Sequence, residues 1–170
     1  MASNAPLTIQ CGISPNASSV INLNGTNLNP PATGVQYWIL VLDRTDLSVQ
    51  LNITFIPNDT VPAALQPFSG NSKYIMVLTT QTLTSDNLPT GAFYSFLVGE
   101  GAGSKLNSLE QVYEAFNCGT WGWMGYTLVS VMDGTNSYEF SDIVPNSQLI
   151  TLQLMPLQIG NQTLYTPIQL

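Results

Sequence analysis

Apolar and polar residues alternate along most of this chain with a period of two, the spacing of strands that bury one face. From Pro6 to Ile13, Leu7, Ile9, Cys11 and Ile13 fall on one side and Thr8 and Gln10 on the other. The next stretch of this kind has no fault in it: Leu47, Val49, Leu51, Ile53 and Phe55 alternate with Ser48, Gln50, Asn52 and Thr54. Shorter runs over 19–23, 73–80, 93–98, 126–132, 138–140, 149–154, 157–159 and 164–168 also read as strands. Val35–Asp43 (VQYWILVLD) breaks the alternation, being apolar on both faces, and predicts a central strand covered on both sides. Turn formers separate these runs: Ser14-Pro15-Asn16, Asn24–Gly34, Asp43–Asp46, the loop Pro57–Ser72 with one helical turn near Ala63–Gln66, Ser85–Gly91, Asp133–Asn136 and Gly160-Asn161. About nine or ten short strands with Gly, Pro and Asn between them predict an antiparallel β-sandwich, jelly-roll-like or similar, in a single all-β domain over 1–170.

One segment switches to helical spacing. Leu109, Val112, Tyr113 and Phe116 fall at i, i+3, i+4 and i+7, which predicts a short helix over 108–117 with one apolar stripe. Asn107 with Glu110 resembles a capping box, and Gly119 offers a left-handed stop. Too short to stand alone, this helix is expected to plug an open end of the sandwich. The preceding Gly99-Glu100-Gly101-Ala102-Gly103 invites a phosphate-loop reading, because glycines let amides approach an anion at a helix N-terminus. Its spacing is wrong for that, Lys105 is out of frame, and Glu100 would put a negative charge inside the cradle. A flexible turn is the better account.

Composition then narrows the chemistry. Charged residues make up only 8% of the chain, against roughly 25% in ordinary domains, so the polar surface is built from Asn, Gln, Ser and Thr. The net charge is −7, with Arg44, Lys73 and Lys105 the only cations. Three scattered cations cannot neutralise a phosphate backbone or an anionic lipid surface, which argues against nucleic acid and membrane-surface partners. No histidine is present, which removes the commonest general base, the Ser-His and Cys-His pairs and most zinc and haem sites. No apolar run approaches the length of a membrane span, and MASNAPLTIQ lacks the regions of a secretory signal. The chain therefore reads as soluble and, by default, cytoplasmic. Under that reading Cys11 is a buried thiol in a strand rather than half of a bridge to Cys118.

The candidate chemistry is sparse. Thr120-Trp121-Gly122-Trp123-Met124-Gly125-Tyr126 places two indoles and a phenol among glycines. Such rings stack on the apolar face of a sugar, anchor a partner or fill the core. Asp133, Asn136 and Glu139, with Asp86 and Asn87 elsewhere, offer hard oxygens for Ca²⁺ but match no calcium-loop spacing, so ordinary turn chemistry is the simpler account. Asn16, Asn24, Asn52, Asn58 and Asn161 begin N-x-S/T triplets, which carry meaning only after eukaryotic secretion. Glu110 and Glu114 share a helix face that reads as solvated, where neither gains the desolvation a general acid needs.

These features predict a non-enzymatic protein with no obligate cofactor, Ca²⁺ being the one candidate. The first expectation is lectin-like carbohydrate recognition through Trp121, Trp123, Tyr126, Asp133 and Asn136. The alternative is a self-assembling structural subunit, such as a capsid, appendage or inclusion protein. Its motive is the uncharged surface and the apolar segments from Leu149 to Leu170, which suit strand pairing in a homo-oligomer.

Overall fold

A computed structural model describes residues 3–14, 18–116, 122–143 and 148–169 of the chain. It is mostly β, with two antiparallel five-stranded sheets packed as a β-sandwich. The strands are β1 (Ala5–Cys11), β2 (Val20–Leu23), β3 (Thr26–Leu28), β4 (Tyr37–Asp43), β5 (Val49–Phe55), β6 (Tyr74–Thr80), β7 (Gly125–Val131), β8 (Tyr138–Asp142), β9 (Gln148–Ile159) and β10 (Gln162–Ile168). One sheet has the order β10-β9-β1-β2-β3 and the other β5-β4-β6-β7-β8. The chain crosses between them after β3 and after β8.

The alternation set out above becomes the packing between the sheets. Leu7, Ile9, Ile21, Leu23, Ile150, Leu152 and Leu154 of the first sheet meet Trp38, Leu40, Leu42, Ile75, Val77, Val129 and Val131 of the second. The second sheet is buried on its other face too. Tyr37, Ile39, Val41, Met76, Leu78, Tyr126 and Leu128 pack there against two helices and the loops around them. The doubly apolar β4 is the expected central strand, every residue from Tyr37 to Leu42 being buried.

Two helices, not one, make this third layer: α1 (Gly91–Gly99) and α2 (Ser104–Phe116). The expectation of a strand over 93–98 is therefore corrected. FYSFLV is β-prone in isolation, but as a helix it puts Phe93 and Leu97, four apart, into the core, each contributing roughly 1.5–3 kcal/mol of burial. Backbone contacts fix its start, since Thr90 donates to the Asn58 carbonyl and Ala92 and Phe93 donate to that of Asp59. The second correction concerns α2, which begins at Ser104 and lies over the outer face of the sheet instead of plugging an end. Leu106 and Leu109 face the core.

Smaller departures have equally local causes. Asn24–Gly34 is not wholly loop: Asn24 and Gly25 both have positive φ, 49° and 83°, as a two-residue hairpin turn requires, and β3 pairs back onto β2. The two expected strands 149–154 and 157–159 are one. Pro156 interrupts nothing because β1 stops pairing with β9 at Leu154, leaving only one flank bonded beyond it. Cys11 is a buried free thiol whose sulfur lies 3.3 Å from the Thr80 carbonyl. Cys118 lies outside the described residues.

Candidate functional site

The described sugar-platform residues do not come together. Trp121 lies outside the described residues, and Trp123 is half-buried just before β7. Tyr126 is fully buried, its ring on the helix side of the sheet and its hydroxyl donating to Glu139 Oε1 at 2.8 Å. Burial and the Glu139 carboxylate push its pKa well above the ordinary tyrosine value. Tyr126 is thereby withdrawn from ligand contact. Asp133 and Asn136 are exposed, but they follow the other end of β7, and seven strand residues span about 23 Å. The four described residues thus fall in separate places.

Asp133 forms the turn chemistry expected of it. Its Oδ1 accepts from the Thr135 amide at 3.0 Å and from the Thr135 hydroxyl at 2.5 Å. Among the described residues no group of three or more Asp, Glu, Cys or His is placed to hold a metal ion. Asn136 adopts a left-handed φ of 46°, a role Asn tolerates in turns.

What the sequence reading missed is the partner of that turn. The loop joining α1 to α2 lies against it so closely that two positions admit only glycine. A Cβ on Gly134 would stand 2.5 Å from the Gly99 carbonyl oxygen, and one on Gly101 would stand 2.5 Å from Ser137 Cβ. Both have positive φ, 75° and 98°, which penalises any side chain again. This contact brings Glu100 beside Asp133, and the two line a pocket of about 320 Å³ together with Ser69, Gly70, Phe96 and Gly99.

Glu100 is the unusual residue of the pocket. It is only 3% exposed. The Gly70 amide approaches Oε1 at a long 3.4 Å, and the buried Oε2 has no hydrogen-bond partner. It also follows the last residue of α1, where helix carbonyls make the potential negative. Burial raises its pKa above the usual glutamate range; the Gly70 amide and the Ser69 hydroxyl pull it down, and Asp133 pushes it up. The nearest arginine does not relieve it. Arg44, itself buried, spends its guanidinium on the carbonyls of Tyr165 and Ser72, both at 2.7 Å, and on the Thr166 hydroxyl at 2.8 Å.

The glycine-rich segment also answers the phosphate question. The N-terminus of α2 already holds an anion, the Glu139 carboxylate of β8. It accepts from the amides of Gly103 at 3.0 Å, Lys105 at 2.8 Å and Leu106 at 2.8 Å. The capping role expected of Asn107 therefore belongs to Glu139, and Asn107 instead accepts from the Tyr94 hydroxyl at 2.7 Å. A cap supplied from a strand leaves no local motif to find.

No helix among the described residues is long and apolar enough to cross a membrane. In comparisons with known proteins, no family model matches the chain and no curated protein matches it significantly.

Proposed function

We propose that this chain is a non-enzymatic, lectin-like binding module whose ligand-facing site is the Glu100–Asp133 pocket. The observation that carries the reading is the pocket wall, where the exposed Asp133 carboxylate stands with the half-buried Phe96 ring and the Ser69 hydroxyl. A sugar supplies what such a wall lacks. Its hydroxyls donate to carboxylates, and its C–H face packs on an aromatic ring such as Phe96. The weakly charged, amide- and hydroxyl-rich surface suits a neutral ligand. A binding role fits better than catalysis, since Asp133 is exposed and held in its turn by Thr135, and no nucleophile with an adjacent base accompanies Glu100.

A glycan-array screen of the labelled protein tests this, with Asp133→Asn and Trp123→Ala beside it. The reading expects reproducible binding to related glycans, weakened at least about tenfold by Asp133→Asn, as loss of a charged hydrogen bond implies, and unchanged by Trp123→Ala. Loss of binding with Trp123→Ala alone would return the site to the loop before β7. A blank array with working control lectins would remove the reading.

Self-assembly is the second reading, favoured by one feature. Beyond the Ala5–Leu154 pair, β9 is bonded only to β10, so the hairpin tip projects from the sheet with Leu157 and Ile159 exposed. Residues 148–169 contain no charged side chain, so the charges that usually keep strand edges apart are missing. Light scattering of the wild type and of Ile159→Lys checks this: a defined oligomer that falls to monomer in the variant supports it, and a monomeric wild type removes it.

A further inference from the structure

All three cations and all ten acidic residues fall between Asp43 and Asp142, and residues 1–42 and 143–170 carry no charged side chain. The composition of ordinary domains would put about seventeen charges in that much chain, and this chain's own 8% would put about five there. The segregation follows the fold. Strands β1, β2, β3, β9 and β10 all lie in the uncharged parts, so the first sheet has no charged side chain at all. The two helices cover the second sheet. On the outer side of the first, Thr151, Thr8, Asn22 and Asn27 form one row across four strands. Gln10 and Leu149 pair beside that row, and Leu149 is 68% exposed.

We infer that this uncharged outer face is a homodimer interface, on which the first sheet of a second copy stacks about a twofold axis. The inference rests on the self-assembly reading and moves its contact from the hairpin tip to the sheet face.

Charge selects the second copy as the occupant. Each chain carries −7, so two copies repel in most orientations. Stacked through their first sheets, they hold the second sheets three layers apart, about 30 Å at roughly 10 Å per layer and well beyond the Debye length of about 8 Å. Any approach through the second sheet or the helices sets acidic surface against acidic surface. The side chains on the face also suit a twofold contact. A carboxylate or an ammonium meeting its own symmetry mate finds only a like charge. A Thr hydroxyl or an Asn or Gln amide is both donor and acceptor, and can pair with its own kind. A partner of different chemistry would find no charge here to select it.

The size of the face sets the strength. Strands about 4.8 Å apart and mostly four to seven residues long give roughly 500 Å² per copy, or about 1,000 Å² in all, the lower bound for a specific interface. Without an aromatic or arginine anchor, a Kd of roughly 10⁻⁶–10⁻⁴ M is expected.

Sedimentation and light scattering of the whole chain over a concentration series test this. The wild type is expected to pass from monomer to dimer, unchanged or tighter as NaCl is raised, because salt screens the residual repulsion. Thr151→Glu and, on the neighbouring strand, Gln10→Glu are each expected to weaken the dimer at least about tenfold by setting like charges opposite one another. Thr151→Ser should keep it. So should Gln111→Glu, which adds the same charge at an exposed position of α2. Melting curves of the variants at low concentration should match the wild type. A wild type that stays monomeric up to about 10⁻³ M, tenfold above the weakest expected Kd, would end both this inference and the self-assembly reading. A dimer that survives both face charges but is lost in Ile159→Lys would end this inference alone and leave the contact at the hairpin tip. Equal loss in Gln111→Glu would make net charge the cause and overturn the face, as would a dimer that salt dissolves. Glycan binding by a monomeric wild type that disappears in Thr151→Glu would give the face to a sugar instead.

Discussion

Two glutamates at opposite ends of neighbouring helices show what this fold does with a negative charge. Glu139 meets the N-terminus of α2 and accepts from three backbone amides and the Tyr126 hydroxyl. Glu100 sits past the C-terminus of α1, where the Gly70 amide approaches Oε1 at a long 3.4 Å, the Ser69 hydroxyl also stabilises the carboxylate, and the buried Oε2 has no hydrogen-bond partner. The helix dipole favours the first carboxylate and opposes the second. Glu139 is fully explained by holding α2 onto the sheet. Glu100 has no comparable set of donors.

The comparison can be broken most directly at Glu139. Glu139→Ala strands three helix amides and a buried hydroxyl, and urea unfolding should show a loss of roughly 3 kcal/mol. A change below about 1 kcal/mol would mean that water replaces the carboxylate and that the cap is incidental. Next in size is Gly134→Ala, which combines a positive φ with a 2.5 Å approach to the Gly99 carbonyl. A loss of about 1–3 kcal/mol is expected in the same measurement. An unchanged midpoint would show that the two loops separate freely and that the pocket is not rigidly formed.

Glu100→Gln should move stability far less and in a different way. At neutral pH it is expected to match or exceed the wild type, within about 1 kcal/mol, because an amide replaces a buried charge. Its signature lies in the pH dependence. The folded-state pKa of Glu100 is raised by burial, so the unfolded chain gives up this proton first. The stability that protonated Glu100 supplies is intact below the usual glutamate range and is lost as pH rises from there through the raised folded value. Wild type should therefore lose stability across that window, and Glu100→Gln should flatten the slope. Groups facing Glu100 are Asp133 and, beyond it, Arg44. Glu110, also raised by burial and by Glu114, titrates in both proteins and cancels in the difference. Equal slopes would show that Glu100 is not desolvated.

The smallest expected effect separates the two candidate caps. Asn107→Ala removes one exposed contact with Tyr94 and should cost under about 0.5 kcal/mol. A loss near 1 kcal/mol would be the size of a true N-cap and would return that role from Glu139 to Asn107.

The alternation of residues 6–13 and 47–55 and the unbroken apolar run within 35–43 were enough to predict the strands, the sandwich and a central strand covered twice, because which faces are buried is written locally in the spacing of apolar residues. The residues 93–98 show its limit. A short apolar run satisfies either a strand or a buried helix, and the decision fell to the open face of the second sheet, which only the assembled fold creates. The candidate site was legible in pieces: Asp133 was singled out as an oxygen donor, and Glu100 as a negative charge in the wrong place for a phosphate. Their meeting was not legible. They are 33 positions apart (133 − 100), and no spacing rule relates a helix end to a turn beyond the next strand.

Sequence by itself determined which faces are apolar, which chemistry is missing with histidine absent, and where the chain turns. Tertiary structure alone decided which carboxylate meets helix amides and which meets helix carbonyls. Periodicity is carried by neighbours along the chain, but the energy of a charge depends on the burial and the dipoles around it, and those are supplied by residues distant in sequence.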